Sequence, residues 1–191
     1  MASLVRTLLA TFAVGLALTG SAQAAGGRYT FDGGTRYQQT QVKKALDASS
    51  FDWNIVPATI VVHIARGHDS EATRGEIWLD SDLLNSGTFS WGVIQHEYAH
   101  QVDFFVLDDA DRLELAPLGG LSWWAPLPVA HAPNGTLAHE QLTSERFAST
   151  LAWTYWPSKE NSMRPTSAKD ESAAMAPAAF RALLARVLPH N

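Results

Sequence analysis

Strand-like and helical patterns of hydrophobic residues occupy different parts of the chain. A β-branched run and an alternating segment predict strands before residue 81, whereas apolar residues recur at helical spacing after residue 90. Strands that come early and long helices that come late predict an α+β fold with one small sheet. The predicted elements are strands at 28–31, 58–64 and 75–80, helices at 37–48, 91–107, 136–155 and 177–188, and loops at 108–134 and 157–172.

The first 24 residues have the three parts of a secretory signal peptide. Arg6 supplies positive charge, residues 8–18 are apolar, and Ala22-Gln23-Ala24 is a small-residue cleavage site. The apolar run is short for a bilayer, which argues against the alternatives of a membrane anchor or an apolar N-terminal helix. We therefore predict a signal peptide at 1–24, a secreted product and one domain over residues 25–191. No later apolar run approaches transmembrane length, so we expect no stable membrane anchor.

The composition excludes several kinds of function but does not identify the one that this chain has. The chain has 191 residues, 46% of them hydrophobic, which is enough for a real core in a single domain. Its formal net charge of -5 argues against a nucleic-acid-binding protein. The absence of cysteine excludes disulfides, a catalytic thiol and Cys-ligated zinc. Any catalysis must use nitrogen and oxygen groups, and we expect a monomer.

The segment His96-Glu97-Tyr98-Ala99-His100 matches the pattern H-E-x-x-H within a predicted helix. Residues four apart lie one above the other on a helix, so the two imidazoles can converge on one ion. Glu97 lies beside that ion, where a carboxylate can take a proton from a water activated by zinc. The pattern predicts a zinc site with His96 and His100 as ligands and Glu97 as the general base.

The alternative is an exposed stripe of polar residues, and the flanking residues argue against it. Apolar side chains surround the motif at Trp91, Val93, Ile94, Val102, Phe104 and Phe105. A buried helix that carries two His and a Glu without a partner would be costly, and a metal ion supplies that partner.

A catalytic zinc usually has three protein ligands, so a further residue is needed. The metzincin continuation, with Gly three and His six residues after the second His, fails because positions 103 and 106 are Asp and Val. The remaining candidates are His131, His139, Glu140 and Glu145. Glu145 lies in a predicted helix and shares its face with Ala148 and Ala152, small residues that allow a second helix to approach closely.

The combination of H-E-x-x-H with a later helix that carries Glu145-Arg-Phe-Ala148 resembles the gluzincin metallopeptidases. The longer form from His96 to Asp103 is most similar to the small catalytic domains of the anthrax lethal factor type. The resemblance covers roughly residues 60–156, and it implies a small zincin-like sheet, an active-site helix and C-terminal helices. It makes His96, His100 and Glu145 the zinc ligands and Glu97 the base. Otherwise, Glu145 is a surface carboxylate paired with Arg146 or Lys159.

The resemblance also raises three questions about supporting residues. Gluzincins stabilise the oxyanion with a Tyr or His, and the Tyr that lethal-factor-like domains carry shortly before the ligand Glu is missing here. His139 is the first candidate for this role, followed by Tyr155 and His131, and the alternative for His139 is a helix surface. Asp103 either accepts the outer N–H of a ligating imidazole or is a solvated carboxylate. The strand at 75–80 is either a sheet edge that pairs with a peptide substrate or a core strand.

These patterns together predict a secreted zinc metallopeptidase that acts on a peptide or protein substrate. One alternative is a zinc hydrolase of a non-protein amide or a cell-wall peptide. Another is a non-catalytic binding module that keeps the metal for stability. The presence of Glu97 argues against the binding module, because a structural metal site needs no base.

Overall fold

A four-stranded sheet and six helices form the part of the chain described by the computed structural model, residues 26–121, 123–124 and 137–188. The predicted α+β class is confirmed. In chain order the elements are β1 (Tyr29–Gly33), α1 (Arg36–Ala48), β2 (Ile60–Ala65), β3 (Glu71–Thr73), β4 (Glu76–Asp80), α2 (Ser81–Leu84), α3 (Trp91–Phe105), α4 (Asp109–Leu115), α5 (Thr143–Tyr155) and α6 (Pro177–Val187).

The predicted signal peptide at 1–24 lies outside the described residues, so export stays a prediction. None of the helices in the described ranges has the length and apolar character needed to cross a membrane.

The sheet has the order β1-β2-β4-β3, and one antiparallel strand forms its edge. β1, β2 and β4 are parallel, whereas β3 pairs antiparallel with β4. Because side chains alternate along a strand, β2 and β4 present one apolar face to the helices. The buried residues of this face are Ile60, Val62, Ile64, Ile77 and Leu79. The strand predicted at 75–80 corresponds to β4, which lies between β2 and β3. Of the two alternatives for this strand, the core strand is confirmed and the sheet edge was wrong.

Helix α3 is the central helix of the fold. It packs against α1 and α5 and also contacts β3 and β4. Two buried polar side chains fix its position, since Gln95 donates to the Ala45 carbonyl at 2.7 Å and the Tyr98 hydroxyl donates to the Arg28 carbonyl at 3.2 Å. The sequence motif thus lies on a helix that is held from several sides.

The prediction of a helix over 136–155 was wrong at its N-terminal end. Within the described part, His139–Gln141 form a separate 3₁₀ turn, and Leu142 adopts extended angles before α5 begins at Thr143. The Gln141 side chain accepts from the Ala138 N–H at 3.1 Å, which closes the short turn locally. His139 consequently lies on a turn in front of α5 and not on its surface.

The loop predicted at 108–134 contains helix α4 in its first part. Asp108 begins this helix, because its carboxylate accepts from the N–H groups of Ala110 and Asp111. The acidic cluster that reads as a turn in the sequence is thus the N-terminal cap of a helix. Residues 122 and 125–134 of that loop lie outside the described ranges.

Candidate metal centre

The two His of the motif lie one turn apart on α3 and face each other. Their Nε2 atoms are 3.2 Å apart, and His96 and His100 are both buried. Glu97 is buried beside them, and all three residues line one cleft. Helical spacing alone produces this arrangement, as the motif predicts.

Glu145, in the first turn of α5, completes a triangle of donor atoms with the two His. Its Oε2 lies 3.1 Å from His96 Nε2, and its Oε1 lies 3.4 Å from His100 Nε2. Ala148 and Ala152 on the same helix are fully buried, as expected for a helix that approaches α3 closely. We call His96, His100 and Glu145 the His/Glu triad.

The His/Glu triad fits a bound metal ion. A tetrahedral ion with ligands at about 2.0–2.1 Å separates those ligands by about 3.3–3.4 Å, close to the three distances observed. Glu145 Oε1 is buried and has no hydrogen-bond partner in the described part of the protein. An unpaired carboxylate oxygen in the interior is costly, and a cation would satisfy it. These buried groups could therefore hold a metal ion.

Without a metal, the carboxylates around His96 favour its protonated form. Burial alone lowers the pKa of His96, but the hydrogen bond to Glu145 and the carboxylates of Glu97 and Glu171 raise that pKa to about 9. Burial alone raises the pKa of Glu145, but the imidazoles of His100 and His96 hold it well below its usual range. A metal ion that binds here must displace the His96 proton.

This displaced proton predicts a pH-dependent metal affinity. Because the pKa of His96 is raised from its ordinary value of 6.5, protonation of His96 stabilises the metal-free fold. This stabilisation is fully present below pH 6.5 and is lost as the pH rises through about 9. Between these values, the apparent Kd for zinc should fall by up to about tenfold per pH unit as the pH rises. Competition with a chromophoric chelator at several pH values, corrected for the chelator's own protonation, measures this slope. A Kd that does not change with pH would contradict the displaced proton.

Burial also raises the pKa of Glu97, and the neighbouring His96 and His100 oppose this effect. A carboxylate with raised proton affinity is better matched to taking a proton near neutral pH than an exposed one. Its place beside the His/Glu triad is the place that the motif predicts for a general base.

The His/Glu triad lies at the base of an open cleft of about 450 Å³. The edge strand β3 contributes Glu71 and Thr73 to the lining of this cleft, and His139 lines it as well. Gln101, one residue after His100, joins this strand to α3. Its amide donates to the carbonyls of Thr73 at 2.9 Å and Glu76 at 3.2 Å and accepts from the Gly75 N–H at 2.8 Å.

Asp103 has neither of the roles expected from the sequence. It is buried, so it is not a solvated carboxylate, and its Oδ1 accepts from Arg112 Nε at 2.8 Å. His100 Nδ1 has no hydrogen-bond partner among the described residues, so Asp103 is not its acceptor. The side chain of Asp103 instead ties α3 to α4.

The candidates for oxyanion stabilisation lie in different places relative to the His/Glu triad. His139 Nε2 lies 3.4 Å from Glu145 Oε2, at the cleft. Tyr155 is ten residues beyond Glu145 on α5, about 15 Å along the helix, and its ring packs against Phe51. His131 lies outside the described residues.

Two residues at the site were not expected from the sequence. Ser149 Oγ lies 2.9 Å from His96 Nδ1, and it donates to Glu171 Oε2 at 2.7 Å. The other oxygen of Glu171 lies 3.0 Å from His139 Nδ1. Ser149 lies one turn of helix after Glu145, which is a weak signal, whereas Glu171 lies in a polar loop without any motif.

Comparisons with protein-family models, with curated proteins and with solved structures found no match to this chain.

Proposed function

We propose that this protein is a zinc-dependent hydrolase of peptide bonds. One observation carries the proposal: two imidazoles and one carboxylate converge within 3.4 Å of one another at the base of an open cleft, with Glu97 beside them. Two His and one Glu are a ligand set of catalytic zinc sites, which keep a fourth position open. A metal that served stability alone would not need a buried carboxylate next to it.

Zinc held by the His/Glu triad would supply a Lewis acid and a water of lowered pKa. Glu97 then acts as the base: its carboxylate takes a proton from the attacking water, so that a C–O bond forms at the scissile carbonyl. The same proton passes from Glu97 to the leaving nitrogen as the C–N bond breaks. Glu97 is thus ionised again at the end of the cycle, and the proton balance closes.

His139 is placed to stabilise the negative charge that develops on the carbonyl oxygen. Its Nδ1 is 3.0 Å from Glu171, which leaves Nε2 directed to the cleft beside Glu145. When both ring nitrogens carry a proton, Nδ1–H donates to Glu171 and Nε2–H can donate to an oxyanion, and such donors typically contribute 10²–10³-fold to kcat.

The edge strand β3 offers a binding surface for an extended substrate. Its one partner among the described strands is β4, and its residues line the cleft beside the His/Glu triad. Backbone groups on a free strand edge can pair with a peptide in extended conformation. This arrangement favours a peptide substrate over a small amide, which would make no use of a strand edge.

Gln101 provides a test of this surface. Gln101→Leu should lower the free energy of unfolding by about 1–3 kcal/mol, because the part-buried backbone groups that the Gln101 amide satisfies lose their partner. If β3 binds substrate, the KM for a peptide should rise more than kcat falls. Gln39→Leu, which removes a half-buried glutamine bound to Gly33 at the end of β1, is the matched control. An unchanged KM in a folded Gln101→Leu would contradict the role of β3.

The function itself is tested on the purified chain from residue 25 onward. We expect it to cleave members of a mixed peptide library, to lose this activity to a chelator and to regain it with added zinc. Hydrolysis of N-acyl amino acids or cell-wall peptides in place of the library would support the alternative hydrolase. A zinc-loaded protein that cleaves none of these substrates would contradict the proposal and favour a binding module.

A further inference from the structure

Glu171 links two functional side chains that lie on different elements. Its Oε2 accepts from Ser149 Oγ at 2.7 Å, and its Oε1 lies 3.0 Å from His139 Nδ1. We propose that Glu171 is a positioning residue that orients the ligand His96 through Ser149 and orients His139 directly. The proposal rests on the proposed function for His139 and on the metal site alone for His96.

The connection to His96 follows from the number of protons available. Ser149 has one hydroxyl hydrogen, and its short contact with the Glu171 carboxylate indicates donation to that oxygen. Ser149 Oγ therefore accepts from the N–H at His96 Nδ1, 2.9 Å away. With the proton fixed at Nδ1, the lone pair at Nε2 faces His100 and Glu145, which is the state that a metal requires.

The connection to His139 is direct. His139 lies on the 3₁₀ turn at 139–141, and 64% of its side chain is exposed, so packing does little to hold its ring. A hydrogen bond from Nδ1 to the Glu171 carboxylate fixes the orientation of the ring. Nε2 is then directed at the cleft, where it meets Glu145 at 3.4 Å. Loss of Glu171 would leave this ring free to turn toward solvent.

Glu171 is itself held in place by the fold. It begins a 3₁₀ turn at Glu171–Ala173 that packs against α5, and its carbonyl accepts from the Ala174 N–H at 3.1 Å. The side chain is 20% exposed, and both oxygens have partners. One carboxylate on a rigid turn can thus serve a metal ligand and a transition-state donor together, so metal affinity and turnover should depend on the same residue.

Zinc affinity of the metal-free protein provides the first test, because it requires no substrate. Glu171→Ala and Ser149→Ala should each raise the Kd for zinc by about 10–100-fold, the usual effect of removing the outer partner of a ligating His. The Kd of the double variant for zinc should be no higher than that of the single variant with the higher Kd, because both changes break the same chain of hydrogen bonds. His139→Ala, and Glu140→Ala as a control at an exposed carboxylate on the same turn, should stay within about threefold of wild type.

Turnover at saturating zinc provides the second test. Glu171→Ala and His139→Ala should reduce kcat by similar factors, about tenfold or more, whereas Glu140→Ala should stay within about threefold. Ring-nitrogen NMR of the zinc-loaded protein supplies a signature independent of activity: in wild type the Nδ1–H of His139 should show the shift of a hydrogen-bonded proton, and Glu171→Ala should lose this shift. A Glu171→Ala protein with wild-type Kd, or additive effects of Glu171→Ala and Ser149→Ala, would overturn the proposal.

Two further outcomes keep the test decisive. If Glu171→Ala does not fold, Glu171→Gln replaces it. Gln has one acceptor oxygen where Glu171 uses two, so at least one of the two connections must weaken, and retention of wild-type affinity, kcat and Nδ1–H shift of His139 would overturn the proposal. If the wild-type chain cleaves no peptide, the peptidase function fails alone, while the zinc affinities and the Nδ1–H shift of His139 still decide the role of Glu171.

Discussion

Glu97→Gln should keep zinc bound and the fold intact while turnover falls by about 10²–10⁴-fold, as expected for a lost general base. The Glu97 carboxylate is buried beside the His/Glu triad and is not a member of it. Gln has nearly the same shape as Glu but cannot accept a proton at neutral pH. The variant therefore removes a proton transfer and leaves the donor atoms of His96, His100 and Glu145 in place.

Zinc content, zinc Kd and kcat of the same preparation check this prediction. Glu140→Gln is the matched control, since Glu140 is an exposed carboxylate on the turn at 139–141. This control should keep most of the activity, which shows that loss of one carboxylate near the site is not sufficient. If Glu97→Gln turned over substrate at the wild-type rate, Glu97 would not be the base.

His100→Ala should lose both metal and activity. It removes a buried nitrogen from the His/Glu triad and leaves Glu145 Oε1 without its neighbour at 3.4 Å. Loss of a ligand should weaken zinc binding by more than the 10–100-fold that loss of an outer partner causes. In wild type, zinc at 1,000 times its Kd should stabilise the fold by about 4 kcal/mol, and this stabilisation should be absent in the variant. Melting temperatures with and without chelator measure the difference, and full zinc occupancy in His100→Ala would reject His100 as a ligand.

Glu145→Gln distinguishes a ligand carboxylate from a base. It removes an anionic donor, so zinc should bind more weakly, and excess zinc should recover part of the activity. Added zinc should not recover the activity of Glu97→Gln, because that variant already holds its metal. If Glu145→Gln binds zinc as tightly as wild type, the third ligand lies elsewhere, and His139 is the next residue to test.

The sequence by itself determined the parts of this protein that depend on local geometry. The four-residue spacing of His96 and His100 brings their side chains together on any helix, because helical geometry sets the positions of residues i and i+4. The β-branched run at 58–64 and the alternating run at 75–80 correspond to β2 and β4, whose buried faces follow from the two-residue period of a strand. The α+β class follows from the order of these elements.

Tertiary packing decided the rest of the site. Four residues were candidates for the third ligand, and only the packing of α5 against α3 brings Glu145 to within 3.1 Å of a residue 49 positions earlier in the chain. The edge strand β3 has three residues, too few to show a period, and its place in the sheet depends on pairing with β4. Glu171 comes from a polar loop and reaches His139 and Ser149 through the fold alone. Spacing along a helix fixes neighbours within a few residues, whereas contacts between distant segments depend on how whole elements pack.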